Sequence, residues 1–342
     1  MISERSRFDF AFIPGGPYQE TVEFVQLGEQ LGYRCAWLPD QTFHRDPFVL
    51  LGLCAQATQN IGLGLGITSP FTRLPVQIAR AAGVVDEVAD GRFRLGLGTA
   101  NAHSVLAPLG IELKRSVSRL RDAVIIIRRL LAGETVDFEG RDDRLKGVKL
   151  DFTPIRPDIQ IYLGTRGPKT MELAGEVADG VLAESLYHAG GLPYVRECIQ
   201  LGAERVQRAS PEVDLVSWQL VQVTDDVQTA LAALKPWVAY SIRVGPPDAM
   251  LRIGIDEQVI REVSEAMEKG DRDKAAARVT DDAVKCMMIV GTPEQVTEQI
   301  SQVFDRGANA VNLLLLGTKD SMYSTLTRFA REVMPAFQEN AL

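Results

Sequence analysis

Histidine and cysteine are scarce in this chain: three of the first and four of the second among 342 residues. Cys35, Cys54, Cys198 and Cys286 are scattered, with no C-x-x-C pair, which argues against a zinc site or a disulfide framework. Buried free thiols in a reducing cytoplasm are expected instead. His44, His103 and His188 have no metal-ligand spacing, and no metal is expected. Long apolar runs are also missing. No window approaches the uninterrupted apolar length of a membrane span, and the opening "MISERSRFDFAF" has charges but no apolar core or small-residue cleavage site of a leader. Basic charge is in deficit, 37 Lys and Arg against 45 Asp and Glu, so there is no electrostatic footprint for nucleic acid. Internal repeats and low-complexity tracts are absent. So is any G-x-x-x-x-G-K-[ST] motif, and no Ser-His-Asp set assembles from adjacent motifs, so nothing supports hydrolysis.

What is present is a large apolar fraction, 46%, broken into short runs. "FDFAFIP" (8–14), "CAWLPD" (35–40), "IGLGLGIT" (61–68), "RFRLGLGT" (92–99), "IQIYLGT" (159–165), "DGVLAES" (179–185), "DLVSWQLVQVT" (214–224) and "NAVNLLLLG" (309–317) read as strands. Helical patterns lie between them, at 20–31, 47–58, 75–89, 118–132, 168–178, 191–208 and 293–306, and 320–337 closes the chain. Strands separated by helices imply parallel crossovers, and eight such units predict a (β/α)8 TIM barrel formed by one domain over 1–342. Two stretches exceed the simple alternation. Residues 133–158, after the fourth strand, are polar and turn-rich; residues 227–285, after the seventh, hold several helical segments. Inserts of this size are expected to cover the active face.

In such a barrel the site is built at the C-terminal ends of the strands. That rule selects Asp40, Gln41 and His44 after strand two, Gly66, Ile67 and Thr68 at the end of strand three, and Gly98 and Thr99 after strand four. It also selects Gly164 to Lys169 after strand five and Glu184 at the end of strand six. An imidazole at His44 suits proton exchange near neutral pH, although a lone histidine is more often a surface residue. Asp40 either acts chemically or caps its turn. The glycines of "GLGLGIT" lie inside a strand, not in a G-x-G-x-x-G turn opening a helix, which excludes a Rossmann site. They leave two readings: room for large neighbours inside a tapering barrel, or a flat ligand against bare backbone. The stretch Gly164, Thr165, Arg166, Gly167, Pro168, Lys169 is equally double. Pro168 suits a first helical turn, and the preceding amides with two cations could hold an anion; the same stretch could be a plain joint between strand and helix.

Several quoted stretches together carry a family resemblance. "LGYRCAWLPDQ", "PFVLLGLCAQATQNIGLGLGITSPFTRLPVQIARAAGVVDEVADGRFRLGLGT", "RDAVIIIRRLLAGE", "IQIYLGTRGPKTMELAGEVADGVL" and "VGTPEQVTEQISQVFDRGANAVNLL" run in the order of the luciferase-like flavin and deazaflavin oxidoreductases. The chain most resembles their methylenetetrahydromethanopterin reductase branch. The resemblance implies a barrel that binds coenzyme F420 (a deazaflavin) or FMN and needs no metal. It implies a cis peptide at Gly66–Ile67 backing the ring, with Thr68 following, and Gly98 and Thr99 along the ring or its ribityl chain. The cofactor phosphate would sit at Gly164, Thr165, Arg166, Gly167, Pro168 and Lys169. Candidate catalytic side chains are His44, Gln41, Asp40 and Glu184. Where deazaflavin enzymes of the family often have Asp-His, this chain has Asp40-Gln41, and Ala11 stands where the branch has a catalytic strand-one glutamate. The expectation is a cytoplasmic homodimer or higher homo-oligomer that moves a hydride between the cofactor and a small organic substrate. An FMN monooxygenase and a non-catalytic flavin-binding barrel are the alternatives.

Overall fold

Eight apolar runs become eight parallel strands in the computed structural model, which describes residues 7–209 and 212–337. Residues 1–6, part of the segment read for a leader, lie outside the described residues. In chain order the strands are β1 (Phe8–Phe12), β2 (Cys35–Leu38), β3 (Gly62–Thr68), β4 (Phe93–Leu97), β5 (Val136–Glu139), β6 (Arg144–Val148), β7 (Gln160–Thr165), β8 (Gly180–Glu184), β9 (Asp214–Val223), β10 (Ile289–Gly291) and β11 (Ala310–Leu315). The helices are α1 (Tyr18–Gln30), α2 (Pro47–Ala57), α3 (Pro75–Val88), α4 (Ser116–Leu131), α5 (Pro168–Val177), α6 (Gly191–Arg205), α7 (Val227–Val244), α8 (Pro247–Arg252), α9 (Glu257–Glu268), α10 (Arg272–Arg278), α11 (Asp281–Met287), α12 (Pro293–Asp305) and α13 (Lys319–Arg328). The barrel order is β1-β2-β3-β4-β7-β8-β9-β11, and β11 pairs back onto β1 to close it. Helices α2, α3, α5 and α12 each open on a proline in the first turn, where a missing N–H is no loss.

One insert covers the active face as expected, and the other does not. Residues 227–285 form α7 to α11 over the C-terminal ends of the strands, and β10 pairs with the last residues of β9 as the chain returns. Residues 133–158 instead hold the antiparallel hairpin β5–β6. This hairpin follows a helix and not a strand, so it starts at the opposite end of the barrel. It lies along α4, where Arg115 pairs with Asp142, and Arg156 ties its far end to Asp86 at 2.8 Å. It contributes no residue to the cavity described below.

Alternate residues of each strand point inward, and the interior they fill is crowded. Trp37, Tyr162 and Trp218 pack there with Ala11, Cys35, Leu182 and Val216. A methyl group added to Gly64 would come within 2.1 Å of Trp37, and one on Gly180 within 2.1 Å of Tyr162. Gly62 gives the same room to Arg94. For Gly62 and Gly64, then, the glycine-rich strand answers to filling a taper. Beneath the tryptophans lies a polar layer. Asp9 is wholly buried, accepts two hydrogen bonds from Arg34 at 2.7 and 2.8 Å, and accepts one from the Trp37 indole at 2.9 Å. Arg34 and the Tyr162 hydroxyl both reach Asp214. Burial pulls the Arg34 pKa down, but the Asp9 carboxylate, with Asp214 behind it, more than reverses this and the net direction is upward. Such a pair holds only while both charges are present, because the survivor would be left buried and unpaired.

All four cysteines are buried and free, and burial pushes the Cys35 and Cys54 thiols up to about 12. Since the thiolate is the reactive form, neither should react with dithionitrobenzoate in the folded protein at pH 8, whereas all four should react after unfolding in guanidinium. A rapidly titrating native Cys35 or Cys54 would contradict this packing.

Candidate active site

Strand ends, the loops after them and the second insert enclose a cavity of about 1360 Å³ at the C-terminal mouth of the barrel. Such a volume exceeds that of a typical drug-sized pocket. Its floor is apolar, formed by Ile13, Ile67, Leu182, Trp218 and Leu314. One wall is nearly bare of side chains. The Gly66–Ile67 peptide is cis, as the resemblance implied, and the β3–β4 register shifts between Leu65 and Thr68. The Ile67 side chain sits in a socket: a methyl on Gly98 or Gly164 would come within 2.7 Å of it, and one on Gly96 within 3.1 Å. Because Gly66, Gly98 and Gly164 carry no side chain, this wall offers backbone and the Ile67 face to whatever enters.

The loop after β2 braces that wall. Asp40, only 6% exposed, accepts from the Thr68 hydroxyl at 2.7 Å and from Arg73 Nε at 3.0 Å, and its own N–H donates to the Ile67 carbonyl at 3.2 Å. Arg73 also reaches Asp46 at 2.7 Å. Burial would lower the Arg73 pKa, but the Asp46 and Asp40 carboxylates raise it overall. Asp40 is thus already engaged, as a support for the end of β3. Gln41 and Thr42 line the cavity beside it. His44 does not: its N–H donates to the Gln41 carbonyl in a tight turn that leaves the residue exposed and outside the cavity lining.

At the strand-five turn, Gly164, Thr165 and Arg166 line the cavity, whereas Gly167, Pro168 and Lys169 do not, and Lys169 is exposed. Pro168 begins α5 as expected, with Gly167 as its N-cap. The Gly167 N–H is occupied within the turn, donating to Thr165 Oγ1 at 3.0 Å. Arg166 is joined to Glu184, Nη2 to Oε1 at 2.5 Å and Nε to Oε2 at 3.2 Å, and also approaches the Ser241 carbonyl at 3.4 Å. Two residues that had seemed separate candidates, one for an anion and one for chemistry, therefore form one ion pair on the cavity wall. Thr68 is buried and acts through Asp40 rather than lining the cavity. Thr99 lines it, followed by the loop from Ala100 to Val105 with its single π-helical turn (Ala102–Leu106). His103 lies on this turn and lines the cavity. Ala100 and Ser185, both at the cavity, have positive φ of 61° and 54°, a conformation that non-glycine residues hold at some cost. Among the described residues, no group of three or more His, Cys, Asp or Glu is placed to hold a metal ion, and no helix is long and apolar enough to cross a membrane.

Known proteins resemble this chain in sequence and in fold. The profile of the luciferase-like monooxygenase family matches residues 6–310. The chain belongs to the luciferase-like family. A 5,10-methylenetetrahydromethanopterin reductase of Archaeoglobus fulgidus is 32% identical over 309 residues, covering 89% of this chain and 92% of the relative. The solved coenzyme F420 dependent tetrahydromethanopterin reductase of Methanopyrus kandleri superposes with a TM-score of 0.87 at 25% identity, covering 97% of this chain and 99% of the other. A monooxygenase of Streptomyces bottropensis shares the fold, with a TM-score of 0.73 at 21% identity over 97% of this chain and 99% of the other. The chain is accordingly an enzyme of a family of luciferase-like oxidoreductases.

The residues that sequence reasoning passed over come from the insert: Trp237, Tyr240, Arg243 and Val244 on α7, and Arg272 at the start of α10. A signal for them exists in α7. Ala230, Leu231, Leu234, Val238 and Ile242 form its buried stripe, so the aromatics at 237 and 240 are large side chains left outside the core face. The Asn101 carboxamide donates to the Tyr240 hydroxyl at 2.8 Å, which links the strand-four loop to the insert.

The socket around Ile67 is testable. Gly98→Ala is expected to destabilise the protein by about 1–3 kcal/mol through overpacking. Gly52→Ala in α2, which meets nothing within 4 Å, is expected to stabilise it by roughly 0.5–1 kcal/mol. Urea denaturation of both variants checks the contrast.

Proposed function

We propose that the protein is a coenzyme F420-dependent oxidoreductase that transfers a hydride between the deazaflavin and a small organic substrate. The observation that carries this reading is the bare wall of Gly66, Gly98 and Gly164 around Ile67, set beside the strand-five turn in a cavity roomy enough for a ring and a second molecule. The F420 dependence named for the Methanopyrus kandleri structure, whose TM-score of 0.87 exceeds the 0.73 of the monooxygenase, favours deazaflavin over FMN. Bound deazaflavin supplies two-electron hydride chemistry and, with carbon in place of the ring nitrogen that activates oxygen, little reaction with O2. The chain's residues would orient and enclose it. Gly66 and Ile67 back the ring with Asp40 and Thr68 as their brace, Thr99 and Gly98 flank it, and Gly164 to Arg166 hold its phosphate. Gln41 supplies a neutral hydrogen-bonding side chain where a histidine is common in the family. Ala11, at the position matched to the branch's strand-one glutamate, is buried in the barrel interior below the cavity. A proton must therefore come from elsewhere. With Asp40 and Glu184 both engaged by arginines, His103 is the cavity residue suited to carry it.

FMN with O2 is the second reading, supported by the monooxygenase that shares the fold. Titrating the purified protein with each cofactor separates the two. F420 is expected to bind at least about 10-fold more tightly than FMN, a difference of about 1.4 kcal/mol, and the reverse order would favour the monooxygenase. If neither binds, both readings fail. Arg166→Gln should weaken F420 by about 10-fold or more, whereas exposed Lys169→Glu should change it by less than about 3-fold. With a substrate found by screening, His103→Asn should lower kcat by about 100-fold at unchanged F420 affinity; an unchanged kcat would remove it from proton transfer.

Dimerisation belongs to the same proposal. Val49 on α2, Leu74 ahead of α3, and Val84 and Val88 on α3 are large apolar side chains left exposed on neighbouring helices, which suits an interface between two copies. Sedimentation is expected to give a dimer, and a monomer for Val49→Glu combined with Val84→Glu; a variant that remains dimeric would move the interface elsewhere.

A further inference from the structure

Helix α7 forms the wall of the cavity opposite the barrel floor, presenting Trp237, Tyr240, Ser241 and Val244 to it at helical spacing. Trp237 is 47% exposed, while Trp37 and Trp218 are buried, so a large flat side chain stands open at the mouth with Tyr240 one turn further along. The charges around it do not balance. The ionised side chains lining the cavity are Asp40, Arg166, Glu184, Arg243 and Arg272. Both carboxylates are already closed by arginines, Asp40 by Arg73 at 3.0 Å and Glu184 by Arg166 at 2.5 Å. Arg243 has only a loose contact of 3.9 Å with the exposed Glu268, and Arg272 makes no ion pair among the described residues. A chain with a net charge of −8 thus lines the cavity at the mouth of its barrel with two guanidinium groups that no cavity carboxylate answers. Both come from the insert, on helices packed against each other.

We propose that the substrate is an organic anion with a flat apolar body, its carboxylate or phosphate held by Arg243 and Arg272 and its body lying against Trp237 and Tyr240. Guanidinium groups match planar oxyanions with paired N–H donors, and an exposed indole offers a broad apolar face at small entropic cost. This assignment rests on the reading that the glycine wall and the strand-five turn take the cofactor, which leaves the α7 side for the substrate. The same two arginines could instead answer an anionic tail of the cofactor, and the test separates the two.

The probes are naphthoate and its neutral isostere naphthamide, followed by calorimetry on the F420-loaded protein. The wild type should bind naphthoate at least about 10-fold more tightly than naphthamide. Arg243→Gln with Arg272→Gln should reduce that ratio to within about 2-fold and leave F420 affinity within about 3-fold, whereas the double lysine variant keeps part of the preference. Trp237→Ala should weaken both probes alike. Equal binding of the probes to wild type, binding of neither, or a ratio that survives the double glutamine variant would overturn the proposal. So would a loss of F420 affinity with the ratio intact, which would assign the arginines to the cofactor. Should F420 fail to bind while the protein alone still prefers naphthoate, the cofactor reading falls and the anion site stands.

Discussion

A closed barrel of eight strands has to be filled from within, and here large rings do the filling. Trp37, Tyr162 and Trp218 fill the interior; Gly64 and Gly180 on the neighbouring strands, and Gly66 across from Trp218, stand where any side chain would collide with them. That packing demand runs the whole height of the barrel. Low down, Gly62 makes room for Arg94. At the mouth the same economy of side chains seats Ile67 and leaves the wall bare. Of the two readings of the glycine-rich strand, packing accounts for its lower part and leaves its upper end open to the cavity. Gly62 and Gly64 serve the interior, and Gly66 at the top of the strand faces both Trp218 and the cavity.

The site is electrically quieter on its barrel side than its residue types suggest. Carboxylates at strand ends invite catalytic roles, yet each of the two here is closed by an arginine from a neighbouring loop. One of them braces the end of β3 through Thr68, and the other pairs with Arg166 beneath α7. A preorganised site of this kind spends little reorganisation when a charged ligand arrives.

All eight barrel strands, and the helices between them, were legible from apolar period and turn residues, with ends displaced by no more than three residues. So was the start of α5 at Pro168. What escaped did so for definable reasons. The polarity of 133–158 announces an insert but not its side, which depends on whether a strand or a helix precedes it. His44 lies close in sequence to the cavity, and one backbone hydrogen bond to Gln41 turns it outward. Lys169 falls on the solvent side of the first turn of α5, a matter of helical phase. The pairing of Arg166 with Glu184 joins residues from adjacent strands β7 and β8, and no local pattern reports a contact set by sheet order. For the insert residues, the buried stripe of α7 marks Trp237 and Tyr240 as lying outside the core, but that they face the cavity depends on how α7 lies over the barrel, which no local pattern reports.

Strand β9 is longer than its neighbours, and its last residues rise above the barrel, where β10 pairs with them from Ile289 to Gly291. The chain thus leaves the barrel for α7 and comes back onto the very strand it left, with the Thr224 N–H donating to the Gly291 carbonyl at 2.9 Å across the junction. Everything between is a cassette with its entry and exit side by side. Its helices can be lengthened, shortened or exchanged while the eight-strand register beneath is left alone. A lineage built this way can renew the ceiling of its reaction chamber and keep the floor.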